Sequence, residues 1–315
     1  MRVASEGYEC AECARLYPFV FGIPDFRISL PAHFDLSRDT ETARVLVESE
    51  KDLDFEGLLH LYYRLNPEPG EDLHDKHMAH LAGEEDQARA ALELIEESRE
   101  FLPGEAVLEV GCGVGQYLAV AAERADHVAG VDLCLPFLVL TRKRLGPQAL
   151  LAAADAGRLP FRDGAFAAVI AADVIEHLAD PQQSLAEMGR VLVAGGPLFL
   201  STPNRFSLSP EPHVGLWGVG YLPRRLANRY VLRRRRICYD DVRLLSARSL
   251  SRMLHAHFPG RARLLIPALS PRQLQHFPPL KRRLAEAYLA LRRVPLLRGV
   301  FYCFGPFFQV VAEKR

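Results

Sequence analysis

One stretch decides the fold: residues 107–118, which read VLEVGCGVGQYL. Apolar residues lead into Glu109, glycines follow at every second position, and an amphipathic run from Gln116 to Arg124 comes next. This order is typical of a buried strand, a tight turn and the start of a helix. Because alternating glycines let the backbone approach a ligand and expose amide groups at a helix N-terminus, we expect a ligand-binding turn here.

The turn differs from the glycine fingerprint of dinucleotide-binding folds. That fingerprint is G-x-G-x-x-G, and Gln116 stands where its last glycine would be. Glu109, two residues before the first glycine, would also place a carboxylate close to a pyrophosphate and repel it. A carboxylate at this position suits a cationic ligand instead.

Further acidic residues follow the next predicted strands. His127–Asp132 is an apolar run that ends in an acid 21 residues after Gly111, the offset at which ribose hydroxyls are bound at a strand tip. Asp155 follows a third strand, and a fourth strand at Ala167–Ala172 leads into Asp173. Since these strands alternate with helical segments, the sequence predicts a parallel α/β sheet with a site at its carboxyl edge.

Three more strands are expected after these four. The fifth is Leu198–Leu200, the sixth Ala262–Leu269 and the seventh Phe307–Glu313. Between the last two, Leu280–Arg298 has the pattern of a basic amphipathic helix. We interpret that helix either as buried against the sheet or as a contact with a membrane surface.

The series from Glu109 to Arg205 resembles the class I, Rossmann-like S-adenosylmethionine-dependent methyltransferases of the small-molecule type, which includes ubiquinone and menaquinone biosynthetic enzymes. The pattern E-x-G-x-G-x-G is similar to the first motif of this class, and the resemblance covers about the middle third of the chain. It implies a seven-stranded, mostly parallel sheet with helices on both faces and the last strand antiparallel beside the fifth. Ala167 and Ala194 depart from the usual Asp and Pro, at positions that need not touch the cofactor.

The resemblance also implies S-adenosylmethionine as the cofactor and assigns its contacts by position. Asp132 would bind the ribose hydroxyls, Asp155 the adenine amino group unless it caps a turn, and Asp173 would face the methyl-transfer region. The predicted cofactor-binding set is Glu109, Gly111, Cys112, Gly113, Gly115, Tyr117, Asp132, Leu133, Asp155, Ala156, Ala172 and Asp173. Within it we interpret Cys112 as a small apolar filler and not as a nucleophile.

Candidate catalytic and substrate-binding residues lie around the expected mouth of the site. His177, four residues after Asp173, could act as a general base on a substrate hydroxyl, with a packing or capping role as the alternative. Residues 209–223 form a loop rich in proline, glycine and aromatic residues, and loops of this length are often functional. We predict substrate contacts from this loop and from the end of the fifth strand, at Asn204, His213, Trp217 and Tyr221, against the alternative of a packed surface loop.

The N-terminus carries a cysteine pair, Cys10 and Cys13, in a C-x-x-C hairpin. Two thiolates are half of a tetrahedral zinc site, and only nine residues precede Cys10. The segment is similar to the second half of a small zinc-ribbon-like module, so residues 1–34 are predicted to be a degenerate ribbon that packs as a β-element. The alternative is a zinc site completed by another chain or by residues upstream.

Residues 35–100 are predicted to form a helical cap over the cofactor. Glu41–Leu61 and Glu84–Phe101 show apolar residues at helical spacing. Tyr62, Tyr63 and Arg64 are the lid candidates, by analogy with helices that precede the first strand in related enzymes. The histidines 74, 77 and 80 share one helical face, which we interpret as solvated and not as a metal site.

Charge is distributed unevenly, although the formal net charge is zero. Residues 35–110 hold 21 acidic and 7 basic side chains, whereas residues 222–300 hold 19 basic and 3 acidic ones. The two regions either pack on one another or leave a basic face for an anionic partner. Arg233–Arg236 could bind phosphate or anionic lipid, or lie on a solvated helix face.

No signal peptide and no run of about 20 apolar residues is visible, and single scattered cysteines do not make a disulfide framework. The sequence thus predicts a cytoplasmic methyltransferase of residues 101–315, with substrate insertions near 205–245 and 270–306. The expected acceptor is a hydroxyl of a small-molecule, sugar or lipid-linked compound, with peripheral membrane contact left open. An RNA methyltransferase and a non-catalytic partner that keeps the fold are the alternatives, and the oligomeric state is not predicted.

Overall fold

The structure is a computed structural model that describes residues 2–11, 14–28, 30–31, 34–67, 85–267, 274, 279–292 and 294–315. Its first element is a small antiparallel sheet in sequential order. The strands are β1 (Arg2–Ala4), β2 (Gly7–Glu9), β3 (Leu16–Val20) and β4 (Ile23–Pro24). Cys10 lies in the turn between β2 and β3, whereas Cys13 and the histidines 74, 77 and 80 are outside the described residues.

The central sheet has seven strands. They are β5 (Ala106–Val110), β6 (His127–Asp132), β7 (Leu150–Ala153), β8 (Ala168–Ala172), β9 (Pro197–Pro203), β10 (Ala262–Leu265) and β11 (Phe307–Glu313). Their order across the sheet is β10-β11-β9-β8-β5-β6-β7, and only the pairs that involve β11 are antiparallel. The predicted fold class is therefore confirmed, including the last strand beside the fifth.

The middle strands are continuous apolar runs because both of their faces are covered. One core cluster packs a face of the sheet against helices that include Leu46, Leu92 and Leu138, and a second packs the other face against Leu185 and Leu254. The loop after β9 has a small core of its own, formed by Val214, Val219, Ala227, Val231, Tyr239 and Val242.

The helices are α1 (Leu36–Ser49), α2 (Phe55–Leu65), α3 (residues 85–96), α4 (Gln116–Ala121), α5 (Leu135–Leu145), α6 (Pro181–Val191), α7 (Arg224–Arg235), α8 (Ala247–His257), α9 (Pro279–Leu291) and α10 (Arg298–Phe304). Short 3-10 turns lie at Val219–Tyr221 and Pro295–Leu297. Within the described ranges, no helix combines the length and apolar character needed to cross a bilayer.

Two predicted helical runs are interrupted in the structure. Glu41–Leu61 is divided between α1 and α2, because Asp54 accepts a hydrogen bond from Gly57 N and caps the new helix N-terminus. Leu280–Arg298 is divided at its end, where Pro295 begins a 3-10 turn. The predicted sixth strand is also shorter, ending at Leu265.

The N-terminal sheet is joined to the edge of the central sheet. Asp25 forms a parallel bridge with Ala153 at the end of β7, and Phe26 N donates to Ala153 O over 2.7 Å. This bridge brings the residues after β4 to the carboxyl edge of the sheet, where the acids of the predicted cofactor site lie.

Candidate active site

The three glycines of the β5–α4 turn have left-handed backbone conformations, with φ of +70° at Gly111, +49° at Gly113 and +75° at Gly115. A Cβ on Gly111 would lie 2.4 Å from Val174 Cγ2, and one on Gly115 2.6 Å from Thr141 Cγ2. A Cβ on Gly113 would meet no described atom within 4 Å. The outer glycines are therefore required by close packing, while Gly113 borders open space of the kind a ligand needs.

Asp132 lies at the tip of β6 and faces the same turn. Its Oδ2 accepts a hydrogen bond from Gly113 N at 2.9 Å, and its Oδ1 accepts one from Cys134 N at 2.8 Å. Burial raises the pKa of Asp132, and the two amide bonds oppose that shift. The carboxylate is thus positioned by backbone at the carboxyl edge, next to the open space at Gly113.

Glu109 is the last residue but one of β5 and lies beneath the turn. It is 3% exposed, and its Oε2 accepts a hydrogen bond from Leu118 N at 3.1 Å, so it joins the strand to α4. Tyr117, at the start of α4, lies with its ring 6.5 Å from that of Phe199. Cys112 is buried, and burial raises the pKa of its thiol well above the ordinary value, which disfavours a nucleophilic thiolate.

The other predicted cofactor contacts lie at neighbouring strand tips. Asp155 Oδ1 accepts a hydrogen bond from Gly157 N at 2.8 Å, the geometry of a turn cap, and Ala156 beside it is buried. Asp173, directly after Ala172 of β8, has φ of +53°, which is uncommon for a residue with a side chain. Its Oδ1 accepts a hydrogen bond from Ser201 Oγ, which holds the carboxylate at the edge of the sheet.

Arg27 connects the N-terminal segment to this edge, and sequence reasoning missed it. Its Nη1 donates to Asp39 Oδ2 at 2.7 Å and to the carbonyl oxygen of Leu133 at 2.8 Å, while Nη2 donates to Asp25 Oδ2. Asp39 Oδ1 in turn accepts a hydrogen bond from Leu135 N. The residues that follow Asp132 are therefore held by one buried guanidinium and its carboxylates.

A cavity of about 360 Å³ lies beside this connection, between α1, α2 and the start of α5. Tyr62, one of the predicted lid residues, lines it and packs against Phe137 with ring centroids 5.1 Å apart. The other lining residues are Phe34, Asp35, Arg38, Asp39, Thr42, Asn66, Pro67, Cys134 and Pro136. The helices before β5 thus border the residues that follow Asp132, which is the placement a lid requires.

A second group of titratable side chains lies just beyond β8. His177 Nε2 is 3.1 Å from His213 Nε2, although 36 residues separate them. His213 Nδ1 is 2.5 Å from Glu211 Oε1, and His213 Nε2 is 3.8 Å from Glu176 Oε1. The loop after β9 therefore returns to the residues after β8 and builds a cluster of two histidines and two glutamates.

Burial controls the protonation of this cluster. It raises the pKa of Glu176 to about 8, with the charge of Asp173 adding to the shift. Burial of the ring and the neighbouring His213 lower the pKa of His177 to about 4, although the outer edge of the residue is exposed. Burial lowers the pKa of His213, but the bond to Glu211 and the charges of Glu211, Glu176 and Asp173 together raise the pKa above its ordinary value.

The four predicted substrate residues are placed differently from one another. His213 joins the cluster with His177. Asn204 is 2% exposed, and its amide nitrogen donates to the carbonyl oxygens of Cys303 and Gly305, so this residue anchors the backbone and does not fit a substrate contact. Trp217 is 63% exposed, and the hydroxyl of Tyr221 donates to Phe206 O on the loop surface.

Glu176 and Glu211 were also missed by sequence reasoning. Glu176 follows Asp173 and two apolar residues. An acid next to apolar residues needs a partner when it is buried, so the sequence could have identified Glu176 as a candidate site residue. Glu211 lies in the proline-rich loop, two residues before His213, and nothing in that loop indicates where it folds.

Residues 108–200 match the family described as a methyltransferase domain. Among curated relatives, the human protein named "Probable tRNA methyltransferase 9B" is 39% identical over 109 residues, which is 32% of this chain and 23% of the relative. The demethylmenaquinone methyltransferase of Deinococcus radiodurans is 38% identical over 133 residues, 41% of this chain and 52% of the relative. The chain therefore spans about half or less of the length of these relatives.

A chain in the solved complex between the Haloferax volcanii Trm112 methyltransferase activator and a methyltransferase has the same fold. It superposes with a TM-score of 0.50 and 16% sequence identity, over 75% of this chain and 94% of that chain. At this identity the likeness supports the architecture alone.

Proposed function

We propose, from the S-adenosylmethionine-dependent methyltransferase domain that residues 108–200 form, that the whole protein transfers a methyl group to a hydroxyl of a small-molecule, sugar or lipid-linked acceptor. The observation that carries this proposal is the pairing of Asp132 with Gly113 N beside open space at the carboxyl edge of the sheet. Such an arrangement suits ribose hydroxyls next to a backbone turn.

The residues present fit this cofactor. Bound there, S-adenosylmethionine would supply an electrophilic methyl group on a sulfonium. Glu109 and Asp173 place carboxylates at the tips of neighbouring parallel strands, which suits a ligand that carries positive charge. The chain itself needs to orient the acceptor in line with the methyl group and to exclude water.

The pair of histidines is the best-placed proton acceptor for an acceptor hydroxyl. Since the pKa of His177 is lowered to about 4, its imidazole is neutral at physiological pH but is a weak base, so a proton taken from a hydroxyl would have to pass on to a stronger one. His213 lies 3.1 Å from His177 and is itself bonded to Glu211, so a proton could be passed into the pair. The catalytic role of His177 therefore stays a prediction with a defined partner.

A lipid-linked acceptor is supported by the surface of the C-terminal helices. Leu280, Leu284 and Leu296 are 72%, 65% and 92% exposed, and Arg283 and Arg298 are exposed beside them. Exposed leucines next to arginines suit the surface of an anionic membrane. Co-sedimentation with vesicles of anionic lipid, compared with neutral ones, tests this part of the proposal.

RNA is the second candidate acceptor, because a curated relative is named as a tRNA methyltransferase and because α7 exposes Arg233 and Arg234. Arg235 does not belong to that exposed set, since its Nε donates to Val214 O. Binding of bulk tRNA that falls steeply with salt, and falls further in the variant R233A/R234A, would favour RNA over a small molecule.

Calorimetric titration with S-adenosylmethionine and, separately, with NADH tests the proposed function. Micromolar binding of the first ligand alone is expected, followed by formation of S-adenosylhomocysteine when an acceptor is supplied. Binding of NADH alone, or of neither ligand, would contradict the proposal.

A further inference from the structure

Three side chains with metal-binding atoms meet at one point beyond β8. Glu176 and His177 come from the turn after this strand, and His213 comes from the loop after β9. One carboxylate oxygen and one imidazole nitrogen from each histidine all lie within 4.8 Å of one another. This spacing allows all three atoms to contact the same ion.

Glu176 gives the first independent sign that something is bound there. The residue is fully buried, and its Oε2 accepts a hydrogen bond from Thr202 Oγ1 at 2.9 Å. Its Oε1 has no hydrogen-bond partner within the part of the chain that the structure describes, and it points toward His213 Nε2 at 3.8 Å. A buried carboxylate oxygen without a donor costs free energy, and a cation removes that cost.

His213 gives the second sign through its orientation. Its Nδ1 lies 2.5 Å from Glu211 Oε1, so the Nδ1 proton is committed to that carboxylate and Nε2 faces the cluster with its lone pair. Glu211 is fixed in turn, because its Oε2 accepts a hydrogen bond from Val214 N and Arg235 Nε binds Val214 O. A carboxylate behind a histidine in this way is the usual support of a metal-binding imidazole.

Without an ion, and with Glu176 ionised and both imidazoles neutral, the cluster cannot satisfy all its acceptors. The Nε2 proton of His177 can be donated to His213 Nε2 across 3.1 Å, but Glu176 Oε1 is then left without a donor. A divalent cation placed among the three atoms satisfies both imidazole lone pairs and the carboxylate oxygen at once.

We propose that Glu176, His177 and His213 bind one divalent transition cation, with Glu211 as the residue that positions His213. Two imidazole nitrogens and one carboxylate oxygen suit Zn²⁺, Mn²⁺ or Co²⁺ better than Mg²⁺ or Ca²⁺, which prefer oxygen ligands throughout. Three protein ligands leave at least one coordination position open on the ion.

The open coordination position would let the ion take part in the reaction. Only this part of the inference rests on the proposed function. Asp173, three residues before Glu176, is the residue expected beside the transferred methyl group. An oxygen atom of the acceptor could occupy the open position and be held close to that group. In this arrangement His177 would be a ligand and not the base. The ion would favour release of the hydroxyl proton to water, while the oxygen takes the methyl group and the sulfonium leaves as a neutral thioether.

Metal titration of the full chain tests the proposal. Protein stripped with EDTA and dialysed is titrated with Zn²⁺ by calorimetry and with Co²⁺ by visible absorption. We expect one Co²⁺ site with d–d bands of nitrogen and oxygen ligation, and Mg²⁺ binding at least 100-fold weaker. No site in the wild-type chain, or Mg²⁺ binding as tight as Zn²⁺, would overturn the proposal.

Variants identify the ligands. Glu176→Gln keeps the shape of the side chain, and His177→Asn changes a residue with an exposed edge, so both are expected to fold while weakening Co²⁺ binding at least 100-fold. Glu211→Gln should weaken binding about 10- to 100-fold because it only positions His213. His127→Asn, at the exposed amino end of β6, is the matched control and should change nothing.

A second control separates this site from the cysteine pair. The double variant C10S/C13S should keep the Co²⁺ site. If it removes the site while Glu176→Gln retains it, the ion belongs to the cysteines and the proposal is wrong. S-adenosylmethionine binding is measured in parallel, because a wild-type chain that binds the cofactor but has no metal site rejects this inference and leaves the proposed function standing.

Discussion

The guanidinium of Arg27 lies 2.7 Å from the carboxylate of Asp39, and both side chains are almost fully buried. Arg27 also contacts the Leu133 carbonyl, which directly follows the predicted ribose acid. One side chain therefore couples three regions: the N-terminal segment, the first helix of the predicted cap, and the predicted cofactor edge of the sheet.

Replacing Arg27 with alanine should destabilise the protein and loosen the cofactor edge. Removing one partner of a buried ion pair leaves the other carboxylate buried and unpaired, which costs about 3 kcal/mol. Thermal or urea unfolding measures the loss. The control is Arg44→Ala, because Arg44 also pairs with two carboxylates but is 46% exposed, so its loss should cost much less than the loss of Arg27. Equal losses of unfolding free energy in the two variants would show that the buried network of Arg27 stabilises the protein no more than a surface ion pair does.

Replacing Asp132 with alanine should weaken S-adenosylmethionine binding tenfold or more, on the order of 1.4 kcal/mol. The variant loses the predicted ribose contact and the hydrogen bonds that fix Gly113 N and Cys134 N. Calorimetric titration measures the affinity, with Asp163→Ala as the control because its side chain is 80% exposed at a distance from the strand tips. Unchanged affinity in the Asp132 variant would remove the ribose assignment.

Substitutions of the turn glycines should distinguish an effect on stability from an effect on cofactor binding. Gly111→Ala combines left-handed strain with a 2.4 Å approach to Val174 and should cost about 3 kcal/mol of unfolding free energy. Gly113→Ala meets open space, so only the strain of about 1 kcal/mol is expected, while cofactor affinity should fall at least tenfold. Unfolding curves and titrations of both variants test this. Normal cofactor binding by Gly113→Ala would mean that the open space at this turn is not the cofactor site.

The buried cluster should make stability depend on pH in the metal-free protein. The pKa of Glu176 is about 8 in the folded chain and near 4.5 in the unfolded chain. Its contribution to the free energy of unfolding is therefore lost as pH rises between these two values. His177 makes the free energy of unfolding rise with pH, but only below its unfolded pKa of 6.5. His213 has a raised pKa, so it makes the free energy of unfolding fall with rising pH, as Glu176 does. The free energy of unfolding should therefore fall from pH 6.5 to pH 8, by at most about 1.4 kcal/mol per pH unit for each group.

Unfolding in EDTA at a series of pH values measures this slope. Glu176→Gln should have a shallower slope over the same range because the amide does not titrate. A stability that rises from pH 6.5 to pH 8, or an unchanged slope in the variant, would show that Glu176 does not carry a raised pKa.

The sequence was sufficient for a parallel sheet, since each strand is a local apolar run that alternates with helical segments. The antiparallel last strand beside the fifth was implied by the family resemblance. The sequence was also sufficient to indicate that Asp132 and Gly113 lie at one edge, because both follow predicted strands. Whether they bind the cofactor stays a prediction.

The contacts of Arg27 and of Glu211 could not be predicted in this way. Arg27 reaches Leu133 across 106 residues and Glu211 supports a histidine that meets His177 across the fold, so neither contact leaves a periodic pattern in the chain. The contacts of Asn204 could not be predicted for the same reason. Its position after β9 suggested substrate, but its amide is used by carbonyls about 100 residues further on.

The position of β11 has a consequence for synthesis on the ribosome. This strand, Phe307–Glu313, lies between β9 and β10, so the interior of the sheet is completed by residues made long after β5 to β9. Until these residues emerge, β9 exposes an unpaired apolar edge that is open to wrong partners. We therefore expect that edge to need protection during translation, and shortening the chain by the length of β11 should lead to aggregation and not to a smaller folded domain.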